Sequence, residues 1–108
     1  MIYTTEQIGR IVEPIAKRYG LPAVYLFGSY ARGTATEDSD IDFLVDTTGT
    51  ALKSLFALGG LYNDFEEAFD KQIDMVTVGA LTEDNGRRSR AMFRENVMKD
   101  RVRIYAVS

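Results

Sequence analysis

The chain has 108 residues, 27% of them charged, with a formal net charge of −3 at pH 7. It contains no Cys and no His, which excludes disulfide scaffolds, Cys/His zinc sites, thiol nucleophiles and His-based triads. Any chemistry must fall to carboxylates, hydroxyls, Lys, Arg or a bound metal.

The length suits one domain over residues 1–108, large enough to bury a core without staples. No secretory pattern opens the chain, and no apolar run nears the ~18 residues of a membrane span. A soluble cytoplasmic protein is the expectation. The net charge conceals an asymmetry. Residues 87–103 hold seven Arg or Lys against two acids, and the other residues hold six against fourteen. A basic tail on an acidic body suits an anionic partner or a solvated helix face.

Residues 5–19 read as an amphipathic helix. Ile8, Ile11, Val12, Ile15, Ala16 and Tyr19 recur at helical spacing. Thr4 with Gln7 resembles a capping box, and Gly20 is a natural stop. Pro14 removes one backbone donor inside it. The run Ala23–Phe27 is short, apolar and aromatic, which favours a buried strand. Gly28-Ser29 ends it, and Tyr30–Gly33 suits a short helical turn. Free N–H groups at that corner, with the Ser29 hydroxyl, would receive phosphate oxygens, and Gly28 would allow close approach. The segment Thr34–Ser39 is a polar loop, and Ile41–Val45 is a second strand.

Residues 51–70 predict a long helix with Leu52, Leu55, Phe56, Leu58, Tyr62, Phe65, Ala68 and Phe69 on one broad face. Gly59-Gly60 marks close packing or a break between two helices. Gln72–Val78 predicts a third strand with Asp74 as a lone acid among apolar neighbours, a costly placement without a partner or metal. Residues 81–86 form a connector with turn chemistry at Asp84-Asn85-Gly86. Residues 87–98 predict a helix with Ala91, Met92, Phe93, Val97 and Met98 as packing positions. Val102–Ala106 alternates as an edge strand would.

The chemistry gathers between Gly28 and Asp46. Asp40 and Asp42 are spaced i, i+2, so on a strand both carboxylates share one face. Two adjacent carboxylates repel unless a hard cation such as Mg²⁺ sits between them. If the strand carrying Asp74 lies alongside, the three acids converge beyond the Gly28-Ser29 corner. That arrangement suits phosphoryl or nucleotidyl transfer with two cations. Asp40 and Asp42 would bridge the metals, while Asp74 would complete one site or take a proton. Ser29 and the turn amides would hold the leaving triphosphate portion, and Arg32 would steady its charge. Plainer roles exist for each. Ser29 can be a helix cap, Asp74 can pair with a buried Arg, and Arg32 can pair with Asp46. Asp46 itself suits a strand-end turn.

The run G-S-Y-A-R-G followed by S-D-I-D-F-L-V resembles the nucleotidyltransferase superfamily that includes DNA polymerase beta. The near match to G-S-x-A-R-G, with the short chain, is similar to the minimal nucleotidyltransferases of prokaryotes. The resemblance covers roughly residues 5–98. It implies an α/β (α+β) fold, a small mixed sheet flanked by helices. It also implies Mg²⁺-dependent use of ATP and transfer of AMP to a hydroxyl. Members of the minimal group are often antitoxins that add AMP units to a tyrosine of a HEPN-type ribonuclease toxin. A hetero-complex with such a protein is therefore expected, without direct nucleic-acid or membrane binding. The alternative is an antitoxin that neutralises its partner by occlusion alone.

Overall fold

Helix α1 (Thr5–Tyr19) opens on the capping box expected from its sequence. The Gln7 N–H donates to Thr4 Oγ1 at 3.1 Å, and the Thr4 N–H donates to Gln7 Oε1 at 2.8 Å. Gly20 closes the helix in the left-handed region, where its missing Cβ removes the penalty. The helix runs unbroken through Pro14 because its other side buries Ile8, Val12, Ile15 and Ala16. The computed structural model describes residues 2–82 and 88–107. The Asp84-Asn85-Gly86 turn and Arg87 lie outside the described residues, as do the side chains of Arg88, Arg90 and Ala91.

After α1 come strand β1 (Ala23–Phe27), short helix α2 (Gly28–Arg32), strand β2 (Ile41–Asp46) and helix α3 (Leu55–Phe69). Strand β3 (Ile73–Thr77), helix α4 (Val78–Thr82), helix α5 (Arg88–Asp100) and strand β4 (Val102–Ala106) follow. The four strands form one sheet in the order β3-β2-β1-β4. Strand β1 is antiparallel to both β2 and β4, and β2 is parallel to β3. The parallel pair requires a crossover, which α3 supplies. This is the mixed sheet with flanking helices that the family resemblance implies. Among the described residues, no helix is long and apolar enough to cross a membrane.

The larger core covers one side of the sheet. Val24 and Leu26 of β1, with Ile41, Phe43 and Val45 of β2, pack with α1 and with Leu61, Phe65 and Phe69 of α3. Phe43 stacks on Phe65 at 4.8 Å between ring centroids, and Phe69 leans on it at 5.7 Å. A smaller cluster of Phe27, Leu44, Leu81 and Val97 forms separately, with Tyr25, Val76 and Val78 against it.

Four expectations change. The helix predicted over residues 51–70 starts at Leu55, because Ser54 accepts the Ala57 N–H at 3.1 Å and sets the N-terminus there. Leu52 still reaches the core, but from the preceding turn. Leu55 and Phe56, placed on the packing face by periodicity, are 88% and 93% exposed. Gly59-Gly60 lies within one continuous helix. The connector predicted from Leu81 is helical through Thr82, and Leu81 is buried. On α5, Val97 is buried and the partly exposed Phe93 meets Phe27 edge-on, whereas Met92 and Met98 stay exposed.

Candidate active site

The registers of three strands build the site. Phe27 of β1 stands opposite Asp42 of β2, and Asp42 stands opposite Asp74 of β3. Paired residues point to the same side of a sheet, so these three form one transverse row. Next along β2, Phe43 belongs to the large core, while Leu44 returns to the smaller cluster with Phe27. Asp42 and Asp74 are thus the acidic members of a row that Phe27 closes at its other end. Asp40 lies just before β2, whose ladder begins where the Ile41 N–H reaches Gln72 O at 3.2 Å.

Chain direction turns sharply where β1 meets α2. Gly28 takes φ +72°, a left-handed conformation, and a Cβ there would collide with the Asp42 carboxylate. Glycine is required twice at that position, by its backbone and by the closeness of Asp42. Ser29 follows, half-buried, and Arg32 ends the helix. The loop back to β2 is held by one polar contact of its own and one from Lys71, which precedes β3. The Thr36 N–H donates to Ser39 Oγ at 2.9 Å, and Lys71 Nζ donates to Glu37 O at 2.7 Å.

The electrostatics single out Asp42. Its carboxyl is pushed up to about 7, first by burial, then by a hydrogen bond to Asp74 and by the charges of Asp74 and Asp40. The Arg32 charge acts in the opposite direction. A hydrogen bond between two carboxyls requires a proton. A divalent cation could replace that proton and satisfy both groups, and all donors present are the oxygen type that Mg²⁺ prefers. Among the described residues, no three Asp, Glu, His or Cys side chains stand as a ready-made metal cage. The pair Asp42–Asp74 is the nucleus, with Asp40 near enough for its charge to be felt.

Every residue proposed from the sequence therefore lies on this corner or beside it, with different surroundings than expected in two cases. Asp74 is exposed rather than sunk among apolar groups, and its partner is another acid rather than an Arg. Arg32 does not pair with Asp46. Its Nη1 meets Asp100 Oδ2 at 3.0 Å, while Asp46 Oδ1 accepts the Thr48 N–H at 2.9 Å in a strand-end turn. Asp100 carries no local signature in the sequence beyond being an acid at a helix C-terminus, where the helix dipole disfavours it.

Comparison with known proteins gives the family and the fold. The sequence matches the nucleotidyltransferase domain family over residues 8–104. It is 39% identical over 75 residues to a provisional protein adenylyltransferase of Methanocaldococcus jannaschii, covering 69% of this chain and 78% of that one. It is 34% identical over 82 residues to the protein adenylyltransferase MntA of Thermococcus cleftensis, covering 72% and 81%. Among solved structures, a toxin–antitoxin with AMP-PNP superposes with a TM-score of 0.69 at 22% identity, covering 93% of this chain and 74% of that one. A tri-AMPylated Shewanella oneidensis HEPN toxin in complex with MNT antitoxin gives 0.66 at 18% identity, covering 96% and 74%. These two likenesses speak for the fold.

Proposed function

The chain belongs to the nucleotidyltransferase domain family, and from that premise we propose that it transfers AMP from ATP to a hydroxyl of a partner protein. The favoured acceptor is a tyrosine of a HEPN-type toxin, which would make this chain an antitoxin. The observation that carries the reading is the contact row at the β1–α2 corner. The Asp42 carboxylate lies against the Gly28 backbone on one side and stands opposite Asp74 in the strand register on the other. The names of the two relatives support a protein acceptor. The toxin–antitoxin likenesses support the kind of partner.

Gly28 and Ser29 would receive the triphosphate, and Arg32 would balance the charge of the departing pyrophosphate. Asp40, Asp42 and Asp74 would hold Mg²⁺, as two ions. Bound there, Mg²⁺ would neutralise phosphate charge and favour the attacking and leaving oxygens. In the transfer, the acceptor oxygen bonds to the α-phosphorus, and the bond from that phosphorus to the α–β bridging oxygen breaks. Pyrophosphate leaves with the bonding pair. The hydroxyl proton passes to Asp74, whose exposure suits a macromolecular acceptor. Asp42 is less accessible and fixes the geometry.

Label transfer tests the reading. Wild type and Asp42→Asn are incubated in host lysate with Mg²⁺ and ATP labelled at the α- or γ-phosphate. The expected result is a protein band labelled from α only and absent with Asp42→Asn. Label from γ would indicate phosphoryl transfer and overturn the mechanism. No label from either, with a partner still co-purifying, would leave occlusion as the mode of neutralisation.

A further inference from the structure

Asp100 sits at the last position of α5, 68 residues from Arg32 in sequence. An acid there opposes the helix dipole. Lys99 in the same turn suits the dipole, and Asp100 finds its partner outside the helix. The neighbouring Arg101 turns elsewhere, stacking over the Tyr25 ring at 5.2 Å and donating to Met98 Sδ at 3.2 Å. The Asp100 side chain is nonetheless only 25% exposed, and it accepts from Arg32 Nη1 at 3.0 Å.

The position of α5 is itself determined by packing. Val97 is buried with Phe27, Leu44 and Leu81. Phe93 meets the Phe27 ring edge-on at 6.0 Å. Phe27 is the residue opposite Asp42 in the strand register. The Arg101 N–H closes the last turn on Val97 O at 2.9 Å. Asp100 therefore projects from a helix anchored beside the site. Arg32 is 52% exposed and ends a helix of five residues. Without a partner, a long Arg side chain at such a site would sample many rotamers and lose entropy on binding. Asp100 engages Nη1 of a planar group with five N–H donors, which leaves donors directed elsewhere.

We propose that Asp100 is a positioning residue that holds the Arg32 guanidinium ready for the β,γ-phosphates of the incoming nucleotide. This deepens the function proposed above and rests on it. The pair joins α5 to the phosphate corner, so residues distant in sequence complete one nucleotide site. Asp100 acts through Arg32 and does not touch substrate.

The test is a double-mutant cycle read in two ways: affinity for Mg²⁺–AMP-PNP by calorimetry and thermal stability of the same samples. The variants are Arg32→Ala, Asp100→Asn, Asp100→Glu and the double mutant Arg32→Ala/Asp100→Asn. Asp100→Asn is nearly isosteric, so folding is preserved. Expected is about a fivefold loss of nucleotide affinity in Asp100→Asn, within the coupling found between contacting residues. Asp100→Glu recovers most of it, and Asp100→Asn adds no loss in the Arg32→Ala background. A purely structural role would lower stability and leave affinity unchanged, or would lower affinity equally in both backgrounds; either outcome overturns the inference. Tighter binding in Asp100→Asn would also overturn it, since Asp100 would then be withholding Arg32. If wild type binds nucleotide and Arg32→Ala weakens it while Asp100→Asn does not, the inference falls and the proposed function stands. A wild-type protein that binds no nucleotide overturns both.

Discussion

Alternate residues of β2 serve two different sides of the molecule. Ile41, Phe43 and Val45 are fully buried in the large core under α1 and α3. Asp42 and Asp46 alternate with them and remain half-buried, with Leu44 between them in the smaller cluster. One side is sealed by aromatic and aliphatic packing, and the other is left open at the acidic row. The difference explains how a small chain tolerates adjacent carboxylates. Burial on the sealed side supplies the stability that unpaired charge on the open side removes. The two sides should then respond separately to substitution.

The largest expected effect breaks the sealed side. Phe65 is fully buried and stacks on Phe43 at 4.8 Å. Phe65→Ala should cost about 3–5 kcal/mol through lost transfer energy and a cavity. Urea unfolding measures that loss. AMP transfer per folded molecule should hardly change, because Phe65 touches no group of the acidic row. Loss of transfer in protein that remains folded would mean that the two sides are not separable.

Gly28→Ala reverses that pattern. The φ of +72° would add roughly 1–2 kcal/mol of backbone strain for any L side chain. The new Cβ would also displace the Asp42 carboxylate. Misplacing a reacting group by ~1 Å can cost about 100-fold in rate. Melting curves and transfer rates on one preparation should therefore show activity falling far more than stability. A fall in both by the same proportion would make Gly28 a folding residue only.

Much of this division is legible in the sequence, and for identifiable reasons. The i, i+2 spacing of Asp40 and Asp42 predicts one shared strand face, whereas the structure puts Asp42 on β2 and Asp40 just ahead of it. The Thr4–Gln7 capping box and Gly20 bound α1 locally. The start of α3 is less legible, because the apolar spacing continues upstream of Ser54 and conceals the cap that ends it. Leu55 and Phe56 match the helical period but fall in the first turn. The meeting of Asp42 with Asp74 depends on a parallel register between strands, which no local pattern encodes. The same holds for Arg32 and Asp100, brought together only by the packing of α5.

The open side should also govern how metal-free stability varies with pH. The Asp42 carboxyl is raised from 3.8 to about 7 in the folded protein. Folding therefore favours its protonated form. The associated stability is fully present below pH 3.8 and is lost as pH rises through about 7. Solvent screening moderates the size at a half-buried group. In EDTA, the melting temperature should fall between pH 5 and pH 7.5 in wild type and fall less in Asp42→Asn. Mg²⁺ at pH 7.5 should restore wild type and not the variant. Parallel profiles for the two proteins would remove Asp42 as the source.

The smallest effect concerns the residue that links the two sides. Tyr30 lies on α2, between Ser29 and Arg32, yet its ring belongs to the large core and it is 5% exposed. Its hydroxyl is buried, with no hydrogen-bond partner among the described residues. An unsatisfied buried hydroxyl costs about 1–3 kcal/mol, whereas an apolar group of the same shape avoids that penalty. Tyr30→Phe keeps the ring and removes the hydroxyl, so it should stabilise the fold by about 1 kcal/mol. Urea unfolding at fixed pH reads the change. Transfer activity should remain at the wild-type level, since the ring that seats α2 against the core is unaltered. Destabilisation would show that the hydroxyl has a partner after all, such as an ordered water. Stabilisation with lost activity would place Tyr30 on the open side, and the boundary between packing and chemistry would then run through the core.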